Sequence, residues 1–461
     1  MKPYFFTVVM GLSPFLVGSQ ATTPNSTFDL ACRDFVQRYW KGNNWKGAST
    51  WTGDNASRLV ISYLDMMGSN ESQEECDDIL GKVVSRSLNV WTLLQYLTQG
   101  YDDFGWTTFI LLEIIRHLER HEKRFPNSSI MQRHPNLHRR LTFRAAFLHD
   151  AVKDSWSMDL CGGGAEWKVR VWRLDVWPSL SLSRVYKNSI TNHLYNANNA
   201  QIFNLSSSRP RPYDITEVSF QYLRLVWKLF RPVFGWSKSH AQLADFNDPD
   251  FIHRTSEGLQ WMEQSHLLTN DSLYMDGKRP RFVQGSPDER PRVLCDAIVR
   301  TLFTYNQLAG IRALRYLSRA NGDLSILGQG HGMIRNLITS TYNGRLGWNG
   351  IIQDHCDRFS NCTQDMQIFK GLPFLDIKDF CEILDYVGPD VQDFHHKNCS
   401  SYRLWIRRNA AAAYGTIDQL GDFGSYWGSD PLNHVEQLRS IETQVAGLSV
   451  MLVSVWFERN F

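Results

Sequence analysis

Apolar residues recur every three to four positions along most of this chain, with polar residues between them. That spacing lines one face of an α-helix. It predicts helices at about 27–41, 54–67, 77–97, 104–123, 140–156, 184–203, 213–230, 248–266, 293–318, 325–341, 366–386, 400–416 and 433–456. The run Arg58-Leu59-Val60-Ile61-Ser62-Tyr63-Leu64 is typical of them. Strict alternation, the mark of a half-buried strand, is scarce. Lys168 to Val176 and Ser272 to Asp276 read as short hairpins or loops. Glycine and proline gather between the helices, and no charge run or low-complexity tract marks a domain boundary. Such an unbroken series predicts one all-α domain. No fixed-period repeat appears, and helical hairpins wound into a toroid need none.

The ends add a compartment. Lys2, the apolar stretch from Tyr4 to Val17 and the small residues of Ser19-Gln20-Ala21 form a secretory-signal pattern over residues 1–21. The stretch is short for a transmembrane helix. Residues 22–461 are then the mature domain, expected outside the cell, free or held at its wall. Eight Asn-x-Ser/Thr sequons, at Asn25, Asn55, Asn70, Asn127, Asn204, Asn270, Asn361 and Asn398, fit a glycosylated surface. Eight cysteines without CxxC spacing favour disulfides over zinc. Five of them follow residue 290, so staples are expected in the C-terminal third. Val445 to Phe457 is followed by Glu458-Arg459-Asn460 and reads as a final core helix, with Leu438, Ile441, Val445 and Leu448 on one face, not as a lipid-anchor tail.

Composition narrows the function. A length of 461 residues alone would allow about three domains, but the helix series argues for one. With 49 Lys+Arg against 47 Asp+Glu there is no basic excess for nucleic acid. The counts of 16 Trp, 17 Tyr and 26 Phe call for a large core, an aromatic-lined groove, or both. The 14 histidines are scattered. His117 and His121 lie one turn apart but lack the zinc-protease glutamate, so they read as a solvated helix face. No metal and no cofactor are expected.

The sharpest chemical feature is Gly100-Tyr101-Asp102-Asp103-Phe104-Gly105-Trp106 at the start of a long helix. Aspartates there cap free N–H groups and suit the helix dipole. They also form a glycosidase pair if one is ionised and the other keeps its proton. Adjacent residues present carboxyls closer to the ~5–5.5 Å of retaining enzymes than to the wider inverting gap. Further features are Cys161-Gly162-Gly163-Gly164-Ala165-Glu166-Trp167, Tyr186-Lys187-Asn188-Ser189-Ile190-Thr191-Asn192, Asp276-Gly277, Thr304-Tyr305-Asn306-Gln307 and Asp365-Met366-Gln367-Ile368-Phe369-Lys370-Gly371. Alone, each reads as a loop or a helix cap.

In this order and rough spacing the motifs resemble glycoside hydrolase family 76, the endo-α-1,6-mannanases. The likeness extends to Arg408-Asn409-Ala410 and Gly424-Ser425-Tyr426-Trp427-Gly428, and spans about residues 30–455. It implies an (α/α)6 barrel with a groove at one end and retaining attack on α-1,6-mannan or its oligosaccharides. It makes Asp102 the nucleophile and Asp103 the acid/base. Tyr101, Trp106, Trp167, Tyr186, Asn188, Asn192, Tyr305, Asn306 and Gln307 would line the groove, with the protein a monomer. Leu308, Leu375, Pro373 and His193 depart from the family's usual residues, which implies altered subsite contacts. Two alternatives stand beside hydrolysis: a cell-wall transglycosidase acting on mannoprotein or anchor glycans, and a catalytically weakened mannan-binding protein.

Overall fold

The computed structural model describes residues 24–67, 72–89, 99–158, 161–167, 186–207, 250–283, 292–428 and 437–461. The signal segment and the helix expected at 213–230 lie outside them. The helices are α1 (Pro24–Tyr39), α2 (Thr50–Met67), α3 (Gln73–Asn89), α4 (Tyr101–Arg124), α5 (Ser129–Arg133), α6 (Leu137–Asp154), α7 (Ser189–Ser207), α8 (Asp250–Gln264), α9 (Ile311–Asn321), α10 (Ser325–Ser340), α11 (Leu372–Cys381), α12 (Pro389–Ser400), α13 (Arg403–Tyr414) and α14 (Ile441–Asn460). Among the described residues, no helix is long and apolar enough to cross a membrane.

Six of these helices close a ring. α2 packs on α4, α4 on α7, α7 on α9, α9 on α11, α11 on α14, and α14 back on α2. α1, α3, α6, α8, α10 and α13 lie outside it. This is the all-α (α/α)6 toroid. Burial explains which helices go inside: α14 is apolar nearly all round, with Ile441, Val445, Leu448, Leu452 and Val453 buried, and such a helix must sit in a core. Outer and inner helices alternate along the chain, so every inner helix starts at the same end. Contacts among those starts bear this out. Thr52 Oγ1 donates to Glu442 at 2.9 Å, Trp51 lies 6.0 Å from Phe369, and Phe369 stacks on Tyr305 at 4.1 Å.

The strand content differs from the expectation. The segment read as a helix over 293–318 is a strand, β5 (Arg292–Leu302), then a turn and α9. A small hairpin pairs β1 (Trp40–Lys41) with β2 (Asn44–Trp45), and β5 pairs antiparallel with β4 (Met275–Val283), which pairs with β3 (Lys187–Asn188). Leu294, Ile298 and Leu302 fit a helical period, but β-branched residues and a partner strand decide the matter. The stretch expected at 366–386 is a tight turn over Gln364–Gly371 followed by α11. His117 and His121 are not solvated: both are 4% exposed. His117 Nδ1 meets Asp65 at 2.6 Å and His121 Nε2 meets Asp77 at 2.8 Å.

Three disulfides, Cys161–Cys295, Cys356–Cys362 and Cys381–Cys399, place five of six bonded cysteines after residue 290, where staples are expected. Cys32 and Cys76 are buried thiols. Among the sequons, Asn127, Asn270 and Asn361 are exposed. Asn55 is not: it is buried in α2 and donates to Trp51 O at 3.0 Å.

Candidate active site

The site forms where the inner helices begin. Asp102 and Asp103 occupy the first turn of α4. The Gly100 N–H donates to Asp103 Oδ2 at 2.9 Å, and the Asp103 N–H to Asp102 Oδ1 at 3.0 Å. Trp167 Nε1 donates to Asp102 Oδ2 at 2.8 Å. Gly100 is needed there, because a Cβ would stand 2.3 Å from Asp102 Oδ1. The backbone completes the strap: Tyr101 N–H donates to Trp167 O, and Trp167 N–H to Tyr186 O, each at 2.7 Å.

A third carboxylate faces the pair. Asp276, on β4, accepts from the Tyr186 hydroxyl and from Asn306 Nδ2, the latter at 3.2 Å. Burial raises the pKa of all three acids. Asp102 is pushed up to about 6, with the bonds from Trp167 and the Asp103 N–H partly offsetting burial. Asp103 rises well above the usual range through burial and the negative charge of Asp102. Asp276 rises through burial, restrained by Tyr186 and Asn306. Among the described residues no salt bridge reaches Asp102, Asp103 or Asp276, and the Arg279 charge offsets only part of the burial at Asp276. Such a cluster holds at least one proton near neutral pH while another member ionises first.

Similar architectures are known. An α-1,6-mannanase from Salegentibacter sp., in an inactive variant with two consecutive aspartates replaced by asparagine and bound to α-1,6-mannotriose, matches with a TM-score of 0.59 at 14% identity, covering 94% of this chain and 100% of that one. Dfg5 from Chaetomium thermophilum, in complex with glucosamine, matches at 0.61 and 14% identity, covering 96% and 93%. A family 76 α-mannanase from Bacteroides thetaiotaomicron matches at 0.56 and 13%, covering 94% and 97%. The fold is that of the family 76 glycoside hydrolases. No family sequence model and no curated protein sequence matches the chain.

On this family 76 fold the expected groove residues divide in two. Tyr101, Asp102, Asp103, Trp167 and Tyr305 are partly exposed at the mouth, and Tyr186 is just below it. The others are supports. Trp106 is 4% exposed and packs on Trp51 at 6.1 Å, inside the core and not on a sugar platform. Asn192 accepts from Ala165 N–H at 2.7 Å and donates to Ala165 O and Asn188 O, leaving no donor over. Gln307 is spent on Tyr274 N–H, Tyr274 O and Phe303 O. Asn188 caps α7 by accepting from Thr191 N–H at 3.2 Å, and Asn306 is buried behind Asp276. His193, the departure beside Asn192, is fully buried against Tyr274 at 4.5 Å, and burial lowers its pKa to about 3. It does not reach the groove.

The Cys-Gly-Gly-Gly loop is a buttress. Cys161, Gly162, Gly163 and Gly164 all have positive φ. The loop is held by the bond to Cys295, by Asn192 and by the Lys187 ammonium, which donates to Ser157 O at 2.7 Å and to Gly163 O. Sequence reasoning left Asp276 out of the site. Its motif with Gly277 was visible, but only the β3–β4 pairing brings it opposite the α4 start.

Proposed function

We propose that this protein is a secreted retaining glycosidase that cleaves α-1,6-mannosidic linkages within mannan chains. One observation carries the reading: two adjacent carboxylates open α4 at the mouth of the toroid, and burial raises the pKa of both. A retaining enzyme needs such a pair, one member ionised and the other holding a proton. Asp102 ionises first and attacks the anomeric carbon. Asp103 keeps its proton and gives it to the departing glycosidic oxygen. Asp103, now a carboxylate, then takes a proton from water, which attacks the mannosyl–Asp102 ester and frees the carboxylate. Trp167 holds Asp102 for the attack, and Asp276 with Tyr186 and Tyr305 offers acceptors and donors for sugar hydroxyls. The likeness to an α-1,6-mannanase seen with α-1,6-mannotriose supports the substrate class.

A second reading uses the same carboxylates. An acceptor sugar takes the place of water, and the glycan is transferred. The likeness to Dfg5, seen with glucosamine, favours it. One experiment on linear α-1,6-mannan tests both: NMR of the first-formed product. An α-anomeric reducing end on shorter chains is expected. A β-anomer rejects the retaining pair, and chains longer than the substrate move the assignment to transfer.

A further inference from the structure

Because outer helices end where inner helices begin, the segment after α10 lies at the site end. It forms a small hairpin, β6 (Gly347–Trp348) and β7 (Ile351–Ile352), with Trp348 paired to Ile351. Asn349 and Gly350 at its tip have φ of 51° and 77°. An Asn-Gly pair with both residues left-handed is the turn that matches strand twist best. The hairpin is clamped below: Asn409 accepts from Ile352 N–H at 2.8 Å and donates to Gly350 O at 2.9 Å. It is also tied to the site. Two residues past β7, Asp354 accepts from Thr304 N–H and Oγ1 at 2.8 and 2.7 Å, next to Tyr305. Arg345 reaches Asp271 at 3.5 Å, on the loop leading to Asp276.

This rigid hairpin holds two large rings in water. Tyr342 is 52% exposed and Trp348 51%. Each lies over a glycine: a Cβ at Gly350 would stand 2.6 Å from the Tyr342 ring, and one at Gly344 would stand 3.6 Å from Trp348. Rings fixed this way lose little entropy on binding. Single exposed aromatics are common on protein surfaces; these two differ in being pinned over glycines beside one turn at the site end. From Asp354 to the tip is about 13 Å of extended chain, a reach of a few sugar rings.

We propose that Tyr342 and Trp348 form an outer sugar platform that takes the apolar C–H faces of a mannan chain running out of the site. This rests on the mannan reading above. Such a platform contributes to long chains and not to short ones. The test is titration of the full chain, and of its Tyr342→Ala and Trp348→Ala variants, with linear α-1,6-mannan and with α-1,6-mannotriose. The parent's preference for polymer over trisaccharide is expected to fall about 2- to 10-fold in each variant, and Trp348→Phe is expected to keep most of it. An unchanged preference overturns the platform and leaves the mannan reading standing, with the rings then facing a protein or lipid partner. A parent that binds neither sugar overturns both.

Discussion

Helix α4 carries acids at two depths, and they have opposite fates. Asp102 and Asp103 open the helix at the mouth. Glu113 sits eleven residues on, about 16 Å down the axis. Burial pushes Glu113 up as well, but Arg312 and Arg116 outweigh it and hold the carboxyl well below its usual range. Arg312 Nη1 donates to Glu113 at 2.8 Å and its other terminal nitrogen reaches Asp379. Arg58 closes the network with Asp376 and Asp379 at 2.7 and 2.9 Å. Gln201 donates to Glu113 at 2.7 Å. Among the described residues, the same burial therefore yields fixed ion pairs where arginines bond the carboxylates directly and proton-holding acids where none does. The first arrangement binds the ring of helices together. The second is suited to moving protons.

The largest expected effect breaks the upper cluster. Asp102→Asn should lower kcat/KM on α-1,6-mannan by roughly 10⁴-fold or more, because no carboxylate remains to form the ester. Asp103→Asn should do the same on mannan and much less on an aryl mannoside whose leaving group needs no proton. Parent-like release of reducing sugar by both variants would end the assignment. Stability should move the other way. Carboxyls raised on folding favour the fold below the unfolded pKa, and that contribution is lost as pH rises through the folded value. Asn at either position should therefore stabilise the fold at neutral pH, by about 1–3 kcal/mol, and the gain should vanish in acid.

Breaking the lower cluster should cost stability. Arg312→Met leaves Glu113 and Asp379 without their closest cation, and stranding buried charges costs about 3–5 kcal/mol. Denaturant unfolding measures this. Adding Glu113→Gln should recover part of it, since one of the stranded charges is removed. A loss equal in the single and double variants would show that packing, not charge, is the role of Arg312.

These two clusters also show what was legible in the sequence. Helical periodicity exposes the inner and outer helices, and the Asp102-Asp103 pair stands out at its helix start. The partners of the pair do not. Asp276 reaches the site through β-pairing across 88 residues of chain, and Arg312, Asp379 and Glu113 meet only because the ring closes. Asparagines and glutamines were the hardest to place. Asn192 and Gln307 have the chemistry of sugar ligands, yet their polar atoms are consumed by the backbone of the Cys-Gly-Gly-Gly loop and of Tyr274. Trp106 failed as a platform for a similar reason: the inner face of α4 is where the core is. Strand β5 reads as helix in the sequence because apolar residues four apart satisfy either period.

The smallest effect concerns the link between the two arrangements. Among the described residues, Trp167 is the one side chain that donates to Asp102, a neutral donor where Glu113 has arginines. Its bond favours the ionised carboxylate and lowers the pKa. Trp167→Phe keeps an aromatic ring and removes the N–H. The Asp102 carboxyl should then rise further above about 6, and the acidic limb of kcat/KM should move to higher pH by about one unit, the worth of a hydrogen bond to a charged group. The basic limb, set by the proton on Asp103, should move less. Activity above the shifted limb should return toward the parent's value, since the nucleophile itself is intact. A pH profile that falls uniformly without moving its acidic limb would mean that Trp167 positions the sugar instead of tuning the acid, and the contrast between tuned and paired carboxylates on α4 would rest on burial alone.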